Sequence, residues 1–214
     1  MEEVKMTQDT PNNPARRNFI KGVIAAGAAV SSASYLFRTS ASGQAQSAPG
    51  SADRLISLSV NGQERRVDVM KQETLAQTLR YKLGLTGTKL GCDRAECGAC
   101  TVLIDDAPSY SCSNLAVWMD GRSVTTVEGV ATAGTLSPVQ QAFISHDAPQ
   151  CGFCTSGQVM TATGLLKRNS HPTLAEVKTA MAGNLCRCGG YNRYAEAVVA
   201  AGGGSTRTSA GGGQ

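Results

Sequence analysis

The sequence predicts an α+β chain, with a strand-rich half followed by a helical half. Three observations carry this: period-two alternation of apolar residues on either side of an Asn-Gly pair, helix-capping signals after Glu128, and eight cysteines confined between Cys92 and Cys188. The 214 residues include 24 glycines but only 5% aromatic residues. The segments before about residue 52 and after about residue 201 read as non-globular. Roughly 150 residues remain to build a core, enough for one domain or two compact ones. That is too short for a large enzyme with several cofactor domains of its own. Residues 1–50 carry five Lys/Arg and three Asp/Glu, and the remaining 164 carry 15 and 13, so each part has a net charge of +2. No basic stripe stands out, and nucleic acid is not an expected partner.

Residues 1–50 read as an address and linker. Ala15-Arg16-Arg17-Asn18-Phe19-Ile20-Lys21 precedes a mildly apolar run from Gly22 to Phe37, and small residues follow around Gly43-Gln44-Ala45. A paired arginine before a weak apolar run has the anatomy of a twin-arginine export signal, with cleavage expected between about Ala41 and Ala48. This places the protein in the periplasm and makes the twin-arginine translocation machinery a partner. The apolar run is diluted by Ala, Gly and Ser and falls short of the ~20 strongly apolar residues of a spanning helix, so stable membrane insertion is not expected. The twin-arginine route carries folded proteins, which suits a chain that acquires a metal before export.

In the next segment, 52–128, Ile56, Leu58 and Val60 alternate with Ser57 and Ser59 as in a strand. Asn61-Gly62 suits a type I′ hairpin turn, and Gln63 to Val69 returns as the partner strand. Glu73 to Leu83 has leucines four apart and Gly84 as a stop, which predicts a helix. A glycine-rich loop spans Gly84 to Gly98. Thr101 to Ile104 is a further strand, then come a turn at Asp105 to Pro108, a short strand around Tyr110, the apolar Leu115 to Met119, and Ser123 to Val127. Four helices are predicted in segment 132–201: Ser137 to His146, Cys154 to Arg168, one opened by the Thr173/Glu176 capping box and running through Met181, and Tyr191 to Ala200. The boundary between the halves falls near Gly129 to Thr135. Residues 202–214 are Gly/Ser/Thr-rich and read as a disordered tail.

The cysteines fall into two sets of four. Cys92, Cys97, Cys100 and Cys112 form C-x4-C-x2-C and, after eleven intervening residues, a fourth cysteine; the opening is the plant-type [2Fe–2S] spacing. A loop can wrap three thiolates around two irons and two sulfides, while a fourth arrives from a separate element. Gly91, Gly98 and Ala99 lack bulk, so backbone N–H groups can turn inward as an anion-stabilising nest. Cys151, Cys154, Cys186 and Cys188 form C-x2-C and, after thirty-one intervening residues, C-x-C. The predicted helix start puts Cys151 and Cys154 at a positive dipole end. Spacing alone leaves the metal of this set open. Structural zinc and disulfides compete for both sets. The first loop fits zinc poorly, and both that loop and the export route speak against disulfides. His146 and His171 read as surface or helix-end residues rather than ligands.

Leu85-Thr86-Gly87-Thr88-Lys89-Leu90-Gly91-Cys92, Cys97-Gly98-Ala99-Cys100-Thr101-Val102, Gln150-Cys151-Gly152-Phe153-Cys154 and Gly183-Asn184-Leu185-Cys186-Arg187-Cys188 occur in this order. Through them the chain, from about Arg54 to Ala200, resembles the iron–sulfur small subunit of xanthine dehydrogenase-family molybdenum hydroxylases. The export signal narrows the resemblance toward periplasmic aldehyde oxidoreductases. The resemblance implies a β-grasp ferredoxin-like domain and a four-helix-bundle domain, each with one [2Fe–2S] cluster. It implies a large partner subunit carrying molybdopterin cytosine dinucleotide and a medium one carrying FAD. The Cys151, Cys154, Cys186 and Cys188 cluster would lie proximal to the pterin and the other nearer the flavin. Gln150 matches the glutamine that approaches the pterin, and Cys188 the ligand closest to it. Ser156 stands where the family often has proline, and Gly189 where threonine is common.

The implied function is electron transfer during oxidation of aldehydes to carboxylic acids, with no substrate chemistry on this chain. A free-standing ferredoxin-type carrier and a zinc-stabilised interaction protein are the rivals from other classes. Relatives acting on N-heterocycles or carbon monoxide, and a form coupled to cytochromes, are rivals within the family.

Overall fold

The computed structural model describes residues 14, 15, 17–24 and 54–204. Arg16, the cleavage region and residues 205–214 lie outside them. The chain divides into two units, Met1–Gly50 and Ser51–Gln214. In the first, residues 17–24 are helical, with Phe19, Ile20, Val23 and Ile24 exposed. Among the described residues, no helix is long and apolar enough to cross a membrane.

The second unit opens with β1 (Arg54–Val60) and β2 (Gln63–Val69), an antiparallel hairpin in which Ile56 pairs with Val67. The alternation turns Ile56, Leu58 and Val60 inward, together with Val67 and Val69. Asn61 and Gly62 take φ of 52° and 76°, the left-handed values that a type I′ turn requires. The Asn61 side chain accepts from Thr126 N at 2.8 Å and donates to Thr126 Oγ1 at 3.0 Å, which pins the hairpin tip to the end of β5 (Ser123–Thr125). With β3 (Thr101–Ile104) and β4 (Ala107–Tyr110) these strands form one sheet in the order β2-β1-β5-β3-β4. The β1–β5 pair is parallel and the others antiparallel.

The stretch expected as one helix over Glu73 to Leu83 is split. Thr74 and Gln77 form a capping box for α1 (Leu75–Gln77), and the chain then widens into a π-helical turn over Thr78–Lys82. The physical reason lies at Glu73, whose buried carboxylate is met by Thr78 Oγ1 at 2.7 Å and Lys82 Nζ at 2.7 Å. Leu75 and Leu79 still reach the sheet core, beside Val102, Met119 and Val124. Ala116–Met119 forms a 3-10 turn, and β5 ends at Thr125 because the next backbone N–H is taken by Asn61.

The helical half comprises α2 (Pro138–Ser145), α3 (Thr155–Arg168), α4 (Leu174–Met181) and α5 (Tyr191–Ala201). Capping boxes at Ser137/Gln140 and Thr173/Glu176 start α2 and α4. The helices enclose Phe143, Val159, Leu165, Val177, Tyr194 and Val198, and Phe143 meets Tyr194 edge to face at 5.0 Å. Gly202 closes α5 and is buried, with its N–H donating to Val198 O. The fold is α+β, as the strand and helix patterns imply.

Glycines bring the two halves into contact. Gly157, Thr161 and Gly164 fall on one face of α3. A Cβ at Gly164 would lie 2.4 Å from Pro108 Cγ on β4, and one at Gly157 only 2.2 Å from Gly98 O. Lys167 near the end of α3 also pairs with Asp106 in the β3–β4 turn.

Candidate metal centres

The first cysteine set sits in the loop before β3, with Cys112 in the 3-10 turn Ser111–Ser113 after β4. Asp93, Ala95 and Gly98 have φ of 53°, 60° and 69°. These left-handed residues turn backbone N–H groups toward sulfur. Ala95 N lies 3.3 Å from Cys112 Sγ, and Glu96 N and Cys97 N lie 3.4 Å from Cys92 Sγ. Burial works against ionisation of Cys92, but N–H groups of Glu96, Arg94 and Cys97 outweigh it and lower the thiol to about 7. Burial pushes Cys112 up to about 11, and the neighbouring Cys100 adds to the rise. Loading this buried thiol as a thiolate therefore needs a compensating positive charge, which iron supplies.

The second set lies where the helices meet. Cys151 is exposed, two residues before the half-turn that leads into α3, and Cys154 is the buried residue capping α3. Cys186 is buried and Cys188 exposed in the turn between α4 and α5. The Cys151 thiol is lowered by the Phe153 N–H and the Cys188 thiol rather than by a helix end, since the residue lies four positions before α3. The expected lowering by the helix dipole fails for Cys154, which burial raises to about 11. Desolvation at the capping position outweighs the dipole there. For Cys186 burial again opposes ionisation, but the Gly190 N–H, 3.4 Å from Sγ, and the Cys154 thiol tip the balance downward. Tyr194 Oη lies 3.8 Å from Cys154 Sγ and 2.8 Å from Thr155 Oγ1, and its own pKa is raised by burial.

The thiols approach one another in pairs. Cys92 is within hydrogen-bonding reach of Cys97, Cys112 of Cys100, Cys151 of Cys188, and Cys154 of Cys186. Among the described residues, no three His, Cys, Asp or Glu side chains converge as a single metal ion would require. Two pairs per set suit a [2Fe–2S] rhomb, in which each iron takes two thiolates, and suit a tetrahedral zinc poorly. All eight cysteines are free thiols. A cleft of about 480 Å³ lies between the two sets, lined by Cys97, Phe153, Cys154, Cys186 and Tyr191 among others. His146 caps α2 with Nδ1 3.0 Å from Ala142 O, and His171 Nδ1 faces Gly202 O, so both sit at helix ends. Gln150 is exposed just before Cys151.

A ferredoxin-like sheet half and a helical half, each carrying paired thiols, define an iron–sulfur protein with two [2Fe–2S] sites. Residues 58–122 match the 2Fe-2S iron-sulfur cluster binding domain, and residues 126–199 match the [2Fe-2S] binding domain. The chain is 53% identical over 152 residues to the nicotine 6-hydroxylase small subunit of Paenarthrobacter nicotinovorans, covering 71% of this chain and 92% of that one. It is 38% identical over 203 residues to the aldehyde oxidoreductase iron-sulfur-binding subunit of Escherichia coli, covering 88% of each. Among solved structures, quinoline 2-oxidoreductase from Pseudomonas putida 86 matches with a TM-score of 0.69 and 44% identity, over 71% of this chain and 94% of that one. The aldehyde oxidoreductase from Desulfovibrio gigas matches with a TM-score of 0.67 and 38% identity, over 70% of this chain but 17% of that one. The chain belongs to the iron–sulfur small subunits of xanthine dehydrogenase-family molybdenum hydroxylases.

Asn184 and Tyr194 carry structural weight that cysteine spacing does not reveal. The available signals were weak: an asparagine two residues before a cysteine, and glycines inside the α3 pattern, each of which costs about 1 kcal/mol relative to alanine.

Proposed function

We propose that this chain is the electron relay of a periplasmic, molybdenum-dependent aldehyde oxidoreductase, with a ferredoxin-type part at 52–128 and a helical part at 132–201. Cys92, Cys97, Cys100 and Cys112 hold one [2Fe–2S] cluster, and Cys151, Cys154, Cys186 and Cys188 hold the other. When bound, each cluster supplies a one-electron carrier, so two in series split the two-electron oxidation of an aldehyde into single steps toward FAD or another acceptor. Gln150 and Cys188 are exposed, and in this reading they meet the pterin on the large subunit. The chain's own residues lend N–H groups to the sulfurs and bury Cys100, Cys112, Cys154 and Cys186.

The observation that carries the aldehyde reading is alignment length. The Escherichia coli relative covers 88% of the chain, which must extend into the first 50 residues, whereas the nicotine 6-hydroxylase subunit covers 71%. A second reading, hydroxylation of an N-heterocycle, is favoured by the higher identity to that nicotine relative. The test is co-expression with a large molybdopterin-binding and a medium FAD-binding subunit, followed by metal and flavin analysis and turnover of aldehydes against pyridine-type substrates. Four irons per chain and turnover of aldehydes only is the expected result. Turnover of N-heterocycles only overturns the aldehyde reading. In the same assay, Cys188→Ser should remove two irons and stop turnover, and normal turnover would refute its ligand role. Recovery of the mature chain from a periplasmic fraction, abolished by Arg17→Lys together with Arg16→Lys, tests the export reading.

A further inference from the structure

The contact between the halves is built around one side chain of the Gly183-to-Cys188 motif that is not itself a cysteine. Asn184 is 2% exposed and sits two residues before Cys186. Its Nδ2 donates to Gly98 O at 2.9 Å, in the loop of the other cysteine set, and to Thr101 Oγ1 at 3.2 Å, at the start of β3. Its Oδ1 accepts from Thr161 Oγ1 at 2.8 Å, and its carbonyl accepts from Gln158 Nε2 at 2.9 Å, both on α3. The flanking residues are also taken. Gly183 O accepts from Tyr110 Oη at 2.9 Å, and Leu185 N donates to Cys97 O at 2.9 Å. The space is closed to any added carbon. A Cβ at Gly98 would lie 2.5 Å from Gly183 O, one at Gly157 2.2 Å from Gly98 O, and one at Gly183 2.0 Å from Tyr110 Oη.

The Leu185 N–H···O=C Cys97 bond has a specific consequence. It joins the backbone of Cys97 in one set to the residue bonded to Cys186 in the other. The two thiol sets are thus connected by covalent bonds and a single hydrogen bond. A buried amide suits this place because it donates and accepts at once without adding a net charge beside either cluster.

We propose that Asn184 is the positioning residue of this relay: it clamps the two cysteine loops at fixed separation and keeps the Leu185–Cys97 hydrogen bond between them formed. The inference rests on the assignment of the eight cysteines as ligands. In the step it supports, one electron leaves the Cys151, Cys154, Cys186 and Cys188 side, which is oxidised by one. The Cys92, Cys97, Cys100 and Cys112 side is reduced by one, and no proton moves.

The test uses the full chain with both clusters loaded, verified by iron content and two electron paramagnetic resonance signals after reduction with dithionite. Asn184→Leu removes both donations and the acceptor without adding charge. Expected are an altered spin–spin splitting between the two reduced clusters and at least tenfold faster hydrogen exchange in the peptide containing Leu185, with both signals still present. If Asn184→Leu does not retain both clusters, Thr161→Val, which removes only the donor to Asn184 Oδ1, should show the same changes in smaller degree. Unchanged splitting and exchange in a fully loaded variant overturn the proposal, even if its melting temperature falls, because that is the outcome of a merely structural role. Wild-type protein without four irons overturns the ligand assignment, and the inference with it.

Discussion

Gly157→Ala is the most demanding test of how the two halves meet. The added Cβ would fall 2.2 Å from Gly98 O and 3.1 Å from Asn184 Nδ2, whereas ordinary contact begins near 3.4 Å. The obstacle is a backbone carbonyl in the loop of one cysteine set, so no rotamer change relieves it. Moving that carbonyl by about 1 Å stretches the 2.9 Å bond from Asn184 Nδ2 beyond hydrogen-bonding range. Overpacking costs about 1–3 kcal/mol, and a buried group left unpaired costs about 1–3 kcal/mol. The better helix propensity of alanine offsets about 1 kcal/mol. The net loss is about 1–5 kcal/mol, or roughly 2–20 °C in melting temperature for a chain of this size. Ser156→Ala is the control one residue away. Its buried hydroxyl has no hydrogen-bond partner among the described residues, so its loss should be neutral or mildly stabilising. The assay is thermal unfolding of the iron-loaded proteins, followed by helical circular dichroism and by visible absorbance of the clusters. A Gly157→Ala melting point within the error of wild type would refute the close packing of α3 against the Gly98 loop.

Further outcomes are expected elsewhere. Tyr194→Phe removes a hydroxyl within reach of Cys154 Sγ, and should lower the midpoint potential of one cluster while leaving the other unchanged, because hydrogen bonds to sulfur stabilise the more negative reduced state. Redox titration followed by electron paramagnetic resonance reads this, and equal shifts at both clusters would contradict it. Glu73 is held below its ordinary 4.5: burial alone would raise it, but Lys82, Thr78 and the Met70 N–H prevail. Because the folded value is the lower one, its contribution is complete above the unfolded value and is lost as pH falls through the folded value. Glu73→Gln should therefore cost about 1–3 kcal/mol at neutral pH, shrinking below pH 4.5, as measured by denaturant unfolding across pH. A cost independent of pH would remove the carboxylate's charge from the account. Phe143→Ala should destabilise the helical half by about 3–5 kcal/mol, since it is 2% exposed and faces Tyr194.

Much of the fold was legible because short-range chemistry carried it. The Asn61-Gly62 turn, the inward alternation of Ile56, Leu58 and Val60, and the boxes at Ser137 and Thr173 each depend on residues within a few positions of one another. The helix expected at Glu73 to Leu83 was misread as regular because its distortion serves a buried carboxylate, and periodicity does not register burial of charge. Cys154 departed from the dipole expectation for a similar reason, since desolvation depends on what α5 places over it.

The sequence by itself determined the two sets of four cysteines, their membership in an iron–sulfur family, and the order of a strand half before a helical half. Those features lie in spacing along the chain, and spacing is what a ligand loop must satisfy. Only the tertiary structure decided that the thiols of each set stand in pairs, that burial drives Cys112 and Cys154 up while backbone N–H groups draw Cys92 down, and that Gly98, Gly157 and Gly183 close around Asn184. Asn184 and Gly98 are 86 residues apart in the chain. Their contact exists because the two halves press small residues together, and desolvation and close packing arise only once that surface has formed.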